Sequence, residues 1–112
     1  MANLNDDALN ELDQAVLIHL RLSANGFGTA LDRESAFELE GRLVEVLEST
    51  RAGEFDGDEF GEGEVILFIY GQDADRLFTV VEPLLRTTPF AWGGYAIKRY
   101  GGPGQSEKRV EL

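Results

Sequence analysis

Residues 65–70 read VILFIY, the longest uninterrupted apolar stretch in the chain. A short run of β-branched and aromatic residues that follows a glycine-rich segment is typical of a strand with apolar side chains on both faces. The run is much shorter than the roughly 20 residues that cross a bilayer. We therefore predict that residues 65–70 form a buried strand of a soluble domain, with no membrane partner.

The segment before this run, residues 54–64, contains three glycines and six acidic residues. It predicts a ragged edge strand and then a hairpin at 57–63. Phe55 and Phe60 have opposite parity along this strand, so they would point to opposite faces. A bulge near Gly57 would bring both phenylalanines to the same face.

Farther toward the N-terminus, residues 15–23 alternate between apolar and polar side chains and predict a first strand. The two glycines of residues 25–28 interrupt that pattern. Residues 33–49 then carry an apolar stripe at helical spacing, which predicts a helix beginning near Asp32 with Thr29 or Asp32 as its cap.

On the C-terminal side, residues 74–85 show the same helical spacing and predict a second helix capped by Asp73. Pro83 is expected to kink or shorten that helix. Residues 87–94 form a loop, and residues 95–100 predict the last strand.

The order of elements is therefore strand, helix, strand, strand, helix, strand. This βαββαβ order is that of the ferredoxin-like fold, an α+β sandwich whose four antiparallel strands lie in the order 4-1-3-2 with both helices on one face. We predict a polar N-terminal segment at 1–14, in which residues 8–12 have the spacing of one amphipathic turn, a single α+β domain at 15–101, and a flexible C-terminal tail at 102–112.

The composition narrows the classes of partner. Of 112 residues, 21 are acidic and ten are lysine or arginine, which gives a formal net charge of −11. This charge disfavours nucleic acid and favours basic proteins, although it also keeps a small protein soluble whatever its task. There is no cysteine, and residues 1–14 lack the features of a signal peptide, so we expect a cytoplasmic protein.

In the predicted topology three loops meet at one end of the sheet: 25–29, 57–63 and 87–94. Aromatic anchors beside carboxylates suit a basic protein. The first hypothesis is therefore a non-catalytic protein-binding module, inhibitory or immunity-like, and the alternative is that the aromatic side chains fold back into the core. The direction of Trp92, outward or inward, distinguishes the two. The candidate partner-binding residues are Phe27, Asp58, Glu59, Phe60, Glu62, Phe90 and Trp92.

The sheet face opposite the helices is a second candidate surface. Strand 3 is apolar on both sides, so either Ile66, Phe68 and Tyr70 or the alternate set points outward. Such a face predicts a small-molecule-sensing or regulatory homodimer, unless the N-terminal segment covers it. The residues assigned to this sheet face or dimer contact are Leu17, His19, Arg21, Phe68 and Tyr70.

No motif predicts a catalytic residue, a cofactor or a defined metal site. Aligned with an EF-hand from Asp56, the acidic hairpin places Phe60 and Leu67 at two ligand positions. A looser divalent-cation site remains an open alternative. His19 is the only histidine, and no G-x-S-x-G turn occurs. A non-enzyme is therefore expected, with a small enzyme as the third interpretation.

Four short motifs carry a resemblance: GEFDG at 53–57, FGEG at 60–63, YGQDAD at 70–75 and RYG at 99–101. Together they resemble a set of small uncharacterised bacterial proteins over residues 15–101. The resemblance implies a bacterial origin and the same ferredoxin-like order, and it transfers neither an activity nor a site residue.

Overall fold

The apolar run at 65–70 lies within the third of five strands. The computed structural model describes residues 13–112, which contain two α-helices, one short 3₁₀ helix and one antiparallel sheet. The strands are β1 (Gln14–Arg21), β2 (Gly53–Gly61), β3 (Glu64–Gly71), β4 (Tyr95–Arg99) and β5 (Glu107–Glu111), and the helices are α1 (Ala30–Thr50) and α2 (Ala74–Arg86), with the 3₁₀ helix at Pro89–Ala91.

The sheet has the strand order β2-β3-β1-β4-β5, and every neighbouring pair is antiparallel. The prediction of a four-stranded sheet was therefore wrong, because the sheet has five strands. The expectation of a flexible tail at 102–112 was wrong for Glu107–Glu111, which pairs with β4. Leu112 N also donates to Gly94 O at 3.0 Å. The sequence EKRVE lacks apolar alternation because only Val110 packs against the core, as is common for a charged edge strand.

Both helices cover the same face of the sheet. On β1 and β3 the residues of one parity are fully buried and belong to one core with the apolar stripes of the helices. This arrangement settles the open choice for strand 3, because Ile66, Phe68 and Tyr70 point away from the helices. The core side chains of these four elements are Val16, Ile18, Leu20, Ala36, Leu39, Leu43, Leu47, Val65, Leu67, Ile69, Leu77, Phe78, Val81 and Leu85.

The predicted bulge in β2 is confirmed. The register with β3 shifts between Phe55 and Gly57, and Gly57 has a φ of 133°, which disfavours any residue with a Cβ. As a result Phe55 and Phe60 both pack against the core. The hairpin is shorter than predicted, because β2 continues to Gly61 and a two-residue turn with positive φ angles follows it.

The helix boundaries follow from their caps. α1 begins at Ala30, slightly before the predicted start, because Thr29 and Asp32 form a reciprocal capping box. Asp73 caps α2 as predicted. Pro83 does not end α2, which continues to Arg86 with Val81 and Leu85 buried on either side of it. Among the described residues, neither helix is long and apolar enough to span a membrane, and the turn suggested at 8–12 lies outside them.

Candidate binding surfaces

Three loops lie together at one end of the sheet, as the predicted topology required. Leu22 N donates to Gly63 O and Gly63 N donates to Gly26 O, both at 2.9 Å, so the loop before α1 is joined to the β2–β3 hairpin. Asn25, Gly63 and Gly94 also line one cleft of about 360 Å³. The loop before β4 therefore belongs to the same end.

The four predicted aromatic residues divide into two pairs. Phe60 and Phe90 pack against the core, as the fold-back alternative expected. Phe27 and Trp92 are instead 68% and 60% exposed. Trp92 points outward, so the structure retains the two aromatic side chains that the first hypothesis needs most.

Two further exposed apolar residues, Leu31 at 69% and Phe37 at 55%, were missed from the sequence. Both lie in the first two turns of α1, at the same end as Phe27. The ring of Phe37 meets that of Phe60 edge to face, with the centroids 6.0 Å apart. The sequence gave no sign of their exposure, because apolar residues in a helix are ordinarily assigned to its buried side. The buried stripe of α1 instead runs through Ala36, Leu39 and Leu43.

The loop that carries Phe27 is held by one buried carboxylate. Asp32 accepts hydrogen bonds from the Ser23 hydroxyl at 2.8 Å, from Thr29 N at 2.9 Å and from Ser23 N at 3.0 Å. These donors, Thr29 N foremost, lower the pKa of Asp32. Gly28 has a φ of +77°, and a Cβ added there would lie 2.8 Å from Asp32 Oδ2. The loop is thus preorganised although its phenylalanine is exposed.

Hydrogen bonds also hold Trp92 in place. Its indole Nε1 donates a 2.9 Å hydrogen bond to Arg86 O, one of the carbonyls at the end of α2 that have no partner within the helix. Its backbone N donates to Pro89 O at 3.0 Å. The ring therefore faces solvent in one orientation, with its polar atom already satisfied.

The predicted acidic residues do not share one face. Glu59 lies on the open side of the sheet, Asp58 on the helix side, and Glu62 in the turn itself. Asp58 lies beside Glu40 of α1, which the sequence did not single out. Burial, followed by the neighbouring Asp58 carboxyl, raises the pKa of Glu40 to about 8. Glu40 Oε2 is buried without a hydrogen-bond partner among the described residues.

The open face of the sheet contains the other predicted residues. Leu17 pairs with Phe68 across β1 and β3, His19 pairs with Ile66, and Tyr70 lies opposite Ala15. Arg21 is exposed at the edge of this face, and the larger apolar side chains are partly exposed. β4 adds two residues that were not singled out, Tyr95 and Ile97.

A row of planar and charged groups crosses this face. His19 Nδ1 lies 3.0 Å from Glu64 Oε1, and the imidazole stacks on Tyr95 with the centroids 4.5 Å apart. On the other side of Tyr95 the Arg109 guanidinium lies 3.6 Å from the ring centroid and pairs with Glu111. The sequence could not reveal this row, because Arg109 and Glu111 fall in the segment predicted to be a flexible tail.

The row consists of side chains that pack on one another across the sheet. Glu64 is the only hydrogen-bond partner of the His19 ring among residues 13–112. Within the same residues, no group of three or more histidines and carboxylates is placed to hold a metal ion.

A cleft of about 750 Å³ lies at the opposite end, between the last turn of α1 and the start of α2. Two of its lining residues, Asp73 and Arg76, are engaged at the helix ends. Arg76 Nη2 donates to Thr50 O at 2.6 Å, and Asp73 accepts from Arg76 N at 3.1 Å. These bonds satisfy helix ends, which accounts for the residues without a ligand.

Two surfaces therefore remain as candidates, the aromatic end and the open sheet face. Both are built from residues far apart in sequence. Comparison of this chain with protein-family models, with curated proteins and with solved structures found no match.

Proposed function

We propose that this chain is a non-catalytic protein-binding module, inhibitory or immunity-like, that docks on a basic protein through one end. We define the docking end as Phe27, Leu31, Phe37 and Trp92 with the neighbouring acidic residues Asp58, Glu59 and Glu62. One observation carries the proposal. The four large apolar side chains that are exposed among residues 13–112 all lie at this end.

A domain of this size has a small core, so four large apolar side chains that remain exposed to water indicate an interaction site. Aromatic side chains of this kind commonly act as interface anchors, each contributing about 2 kcal/mol or more when it enters a pocket of the partner. The loop that carries Phe27 is held by hydrogen bonds to Asp32, and the Trp92 indole is held by its own hydrogen bond to Arg86 O. Docking would therefore cost little additional side-chain or loop entropy.

The charge of the chain supports a basic partner. With a net charge of −11, the molecule attracts cationic surfaces at long range. Asp58, Glu59 and Glu62 form no ion pair among the described residues, so their charges remain available to a partner.

The proposal also includes a finer interpretation of the fold. We interpret the α+β arrangement as a ferredoxin-like βαββαβ order extended by β5. The sequence motifs imply a bacterial protein, and the lack of cysteine and of signal-peptide features favours a cytoplasmic one. Nothing in the docking proposal depends on this interpretation, because the fold alone does not specify a function.

The test uses basic proteins encoded beside the gene as candidate partners, with affinity measured by titration calorimetry. Trp92→Ala and Phe27→Ala should each weaken binding by roughly 30-fold or more, which corresponds to about 2 kcal/mol. Both variants should retain the wild-type circular dichroism spectrum, because both side chains are mainly exposed.

A matched charge pair completes the experiment. Glu62→Lys lies at the docking end, whereas Glu48→Lys makes the same change on α1 at the opposite end. We expect Glu62→Lys to slow association more than Glu48→Lys at low salt, and the difference to shrink at high salt. Binding that survives both aromatic substitutions would contradict the proposal.

A further inference from the structure

Two carboxyl groups meet on the flank of the docking end where α1 packs beside β2. Glu40 lies on α1 one turn after Phe37, and Asp58 lies on β2 two residues before Phe60. The rings of Phe37 and Phe60 are in edge-to-face contact. Since α1 runs away from the docking end and β2 runs toward it, the carboxyl pair lies directly behind this aromatic contact.

The surroundings of Glu40 contain one other charged group. Its Oε2 atom is buried and has no hydrogen-bond partner among residues 13–112. The side chains one turn away on α1 carry no charge, and the helix-facing side chains of β1 and β3 that enter the core are apolar. The neighbours on α1 are Ala36, Phe37, Leu43 and Val44.

The other strand and helix add only Asp58. On β2, Glu54 and Glu59 point to the open face, and Asp56 lies in the bulge. The charged side chains of α2 are engaged elsewhere, so Asp58 is the one charged group that acts on Glu40. The contacts on α2 are Asp73 with Arg76 N, Asp75 with Lys98, Arg76 with Thr50 O, and Glu82 with Arg86.

No cation in the described part of the chain neutralises the pair. Neither Glu40 nor Asp58 forms an ion pair there, and Arg42, two residues along α1, is already paired with Glu38 at 3.0 Å. Burial and the Asp58 carboxyl raise the pKa of Glu40 to about 8, so about nine molecules in ten hold a proton on the pair at pH 7. The second ionisation waits for a positive charge from outside.

The surface beside the pair is open to such a charge. Asp58 is exposed, and Gly41, which follows Glu40, has no atom within 4 Å of the place where a Cβ would lie. A glycine inside a helix costs roughly 1 kcal/mol relative to alanine, so this gap is kept at some expense in stability. A long cationic side chain docked beside Phe37 therefore has room to reach Asp58.

We propose that docking of a basic partner releases to the solvent the proton held by Glu40 and Asp58, so that the docking end binds more tightly as the pH rises. This inference rests on the proposed function. A guanidinium or ammonium group against Asp58 favours the state in which both carboxyls are ionised, and such a neighbour commonly lowers a carboxyl pKa by roughly 1–3. By linkage, the same cation binds better once the proton has left.

Calorimetry measures the released proton directly. The probe is N-acetylated deca-arginine, whose guanidinium groups keep their charge throughout the pH range. Titrations at pH 7 in PIPES and in imidazole differ in heat by the number of protons released, because the two buffers have different heats of ionisation. We expect roughly 0.4–0.9 proton released per bound peptide.

A matched pair of variants assigns the proton to this site. The wild type should bind deca-arginine roughly five- to 50-fold more tightly at pH 8 than at pH 6. Glu40→Gln should remove both the proton release and most of this pH dependence. Glu45→Gln, the same change at an exposed position of α1, should behave as the wild type.

A measurement on the wild type alone covers the case in which Glu40→Gln folds poorly. Carbon-13 NMR of the Glu40 carboxyl should show its titration moving to lower pH when the peptide is bound. Peptide binding without proton release, with proton uptake, or with release that persists in Glu40→Gln would overturn this inference and leave the docking proposal intact. Absence of peptide binding at low salt would instead contradict the basic-partner proposal, and this inference with it.

Discussion

The docking end and the open sheet face use charge in opposite ways. At the docking end, Asp58, Glu59 and Glu62 form no ion pair among residues 13–112. On the open face Glu64 is paired with His19, and Glu111 with Arg109. Free charge steers a partner from a distance, whereas paired charge fixes the local arrangement of a surface. The two surfaces therefore differ in whether their carboxylates are free to attract a partner or already hold neighbouring side chains in place.

One substitution on each surface separates the two, and this comparison has the largest expected effect. Trp92→Ala at the docking end should weaken docking by roughly 30-fold or more. Phe68→Glu on the open face should leave the docking affinity within about twofold of the wild type. Calorimetry on both variants provides the two dissociation constants, and an equal loss of affinity in Phe68→Glu would show that the surfaces are coupled.

A substitution at Gly28 tests whether the contact with Asp32 holds the Phe27 loop in place. Gly28→Ala forces a side chain into a left-handed conformation and against the Asp32 carboxylate, so we expect a loss of about 2–3 kcal/mol in the free energy of unfolding. Gly26→Ala is the matched control, because its φ is +72° but its Cβ would meet nothing within 4 Å. It should cost about 1 kcal/mol. Equal losses in urea unfolding would contradict the role of the Asp32 contact.

A pH series examines the carboxyl pair beneath the docking end. The folded pKa of Glu40 is about 8 against an ordinary value of 4.5, so between these values the folded chain holds a proton that the unfolded chain has lost. The free energy of unfolding should therefore fall as the pH rises from about 5 to 8.

Glu40→Gln should flatten this slope, because an amide donates to Asp58 without a charge. At pH 8.5 the variant should be more stable than the wild type by about 1–2 kcal/mol, measured by urea unfolding. Glu45→Gln, an exposed change on the same helix, is the control and should leave the slope unchanged. A wild-type slope retained in Glu40→Gln would remove the carboxyl pair as its cause.

Salt should have the smallest effect. Between 50 and 500 mM NaCl we expect docking to weaken by roughly three- to tenfold, because its steering charges are screened. A docking affinity that did not fall over this range, measured by calorimetry, would contradict the steering role of the unpaired carboxylates.

Features that depend on a few neighbouring residues were predicted well. The capped starts of the helices and the apolar β3 followed from local patterns, and the bulge at Gly57 followed from the opposite parity of two phenylalanines. β5 was missed because a charged edge strand has no alternation to detect. The exposure of Phe37 was missed because it depends on which flank of α1 faces the sheet.

The sequence by itself therefore determined the two helices, the buried strand at 65–70 and the net charge of −11, because caps, periodicity and composition act over one or two turns of chain. Only the tertiary structure decided which face of β3 stays open and that Trp92 points outward. It also brought His19, Tyr95 and Arg109 into one row. These outcomes rest on contacts between residues far apart in the chain, whose pairing follows from the register of the whole sheet rather than from any local pattern.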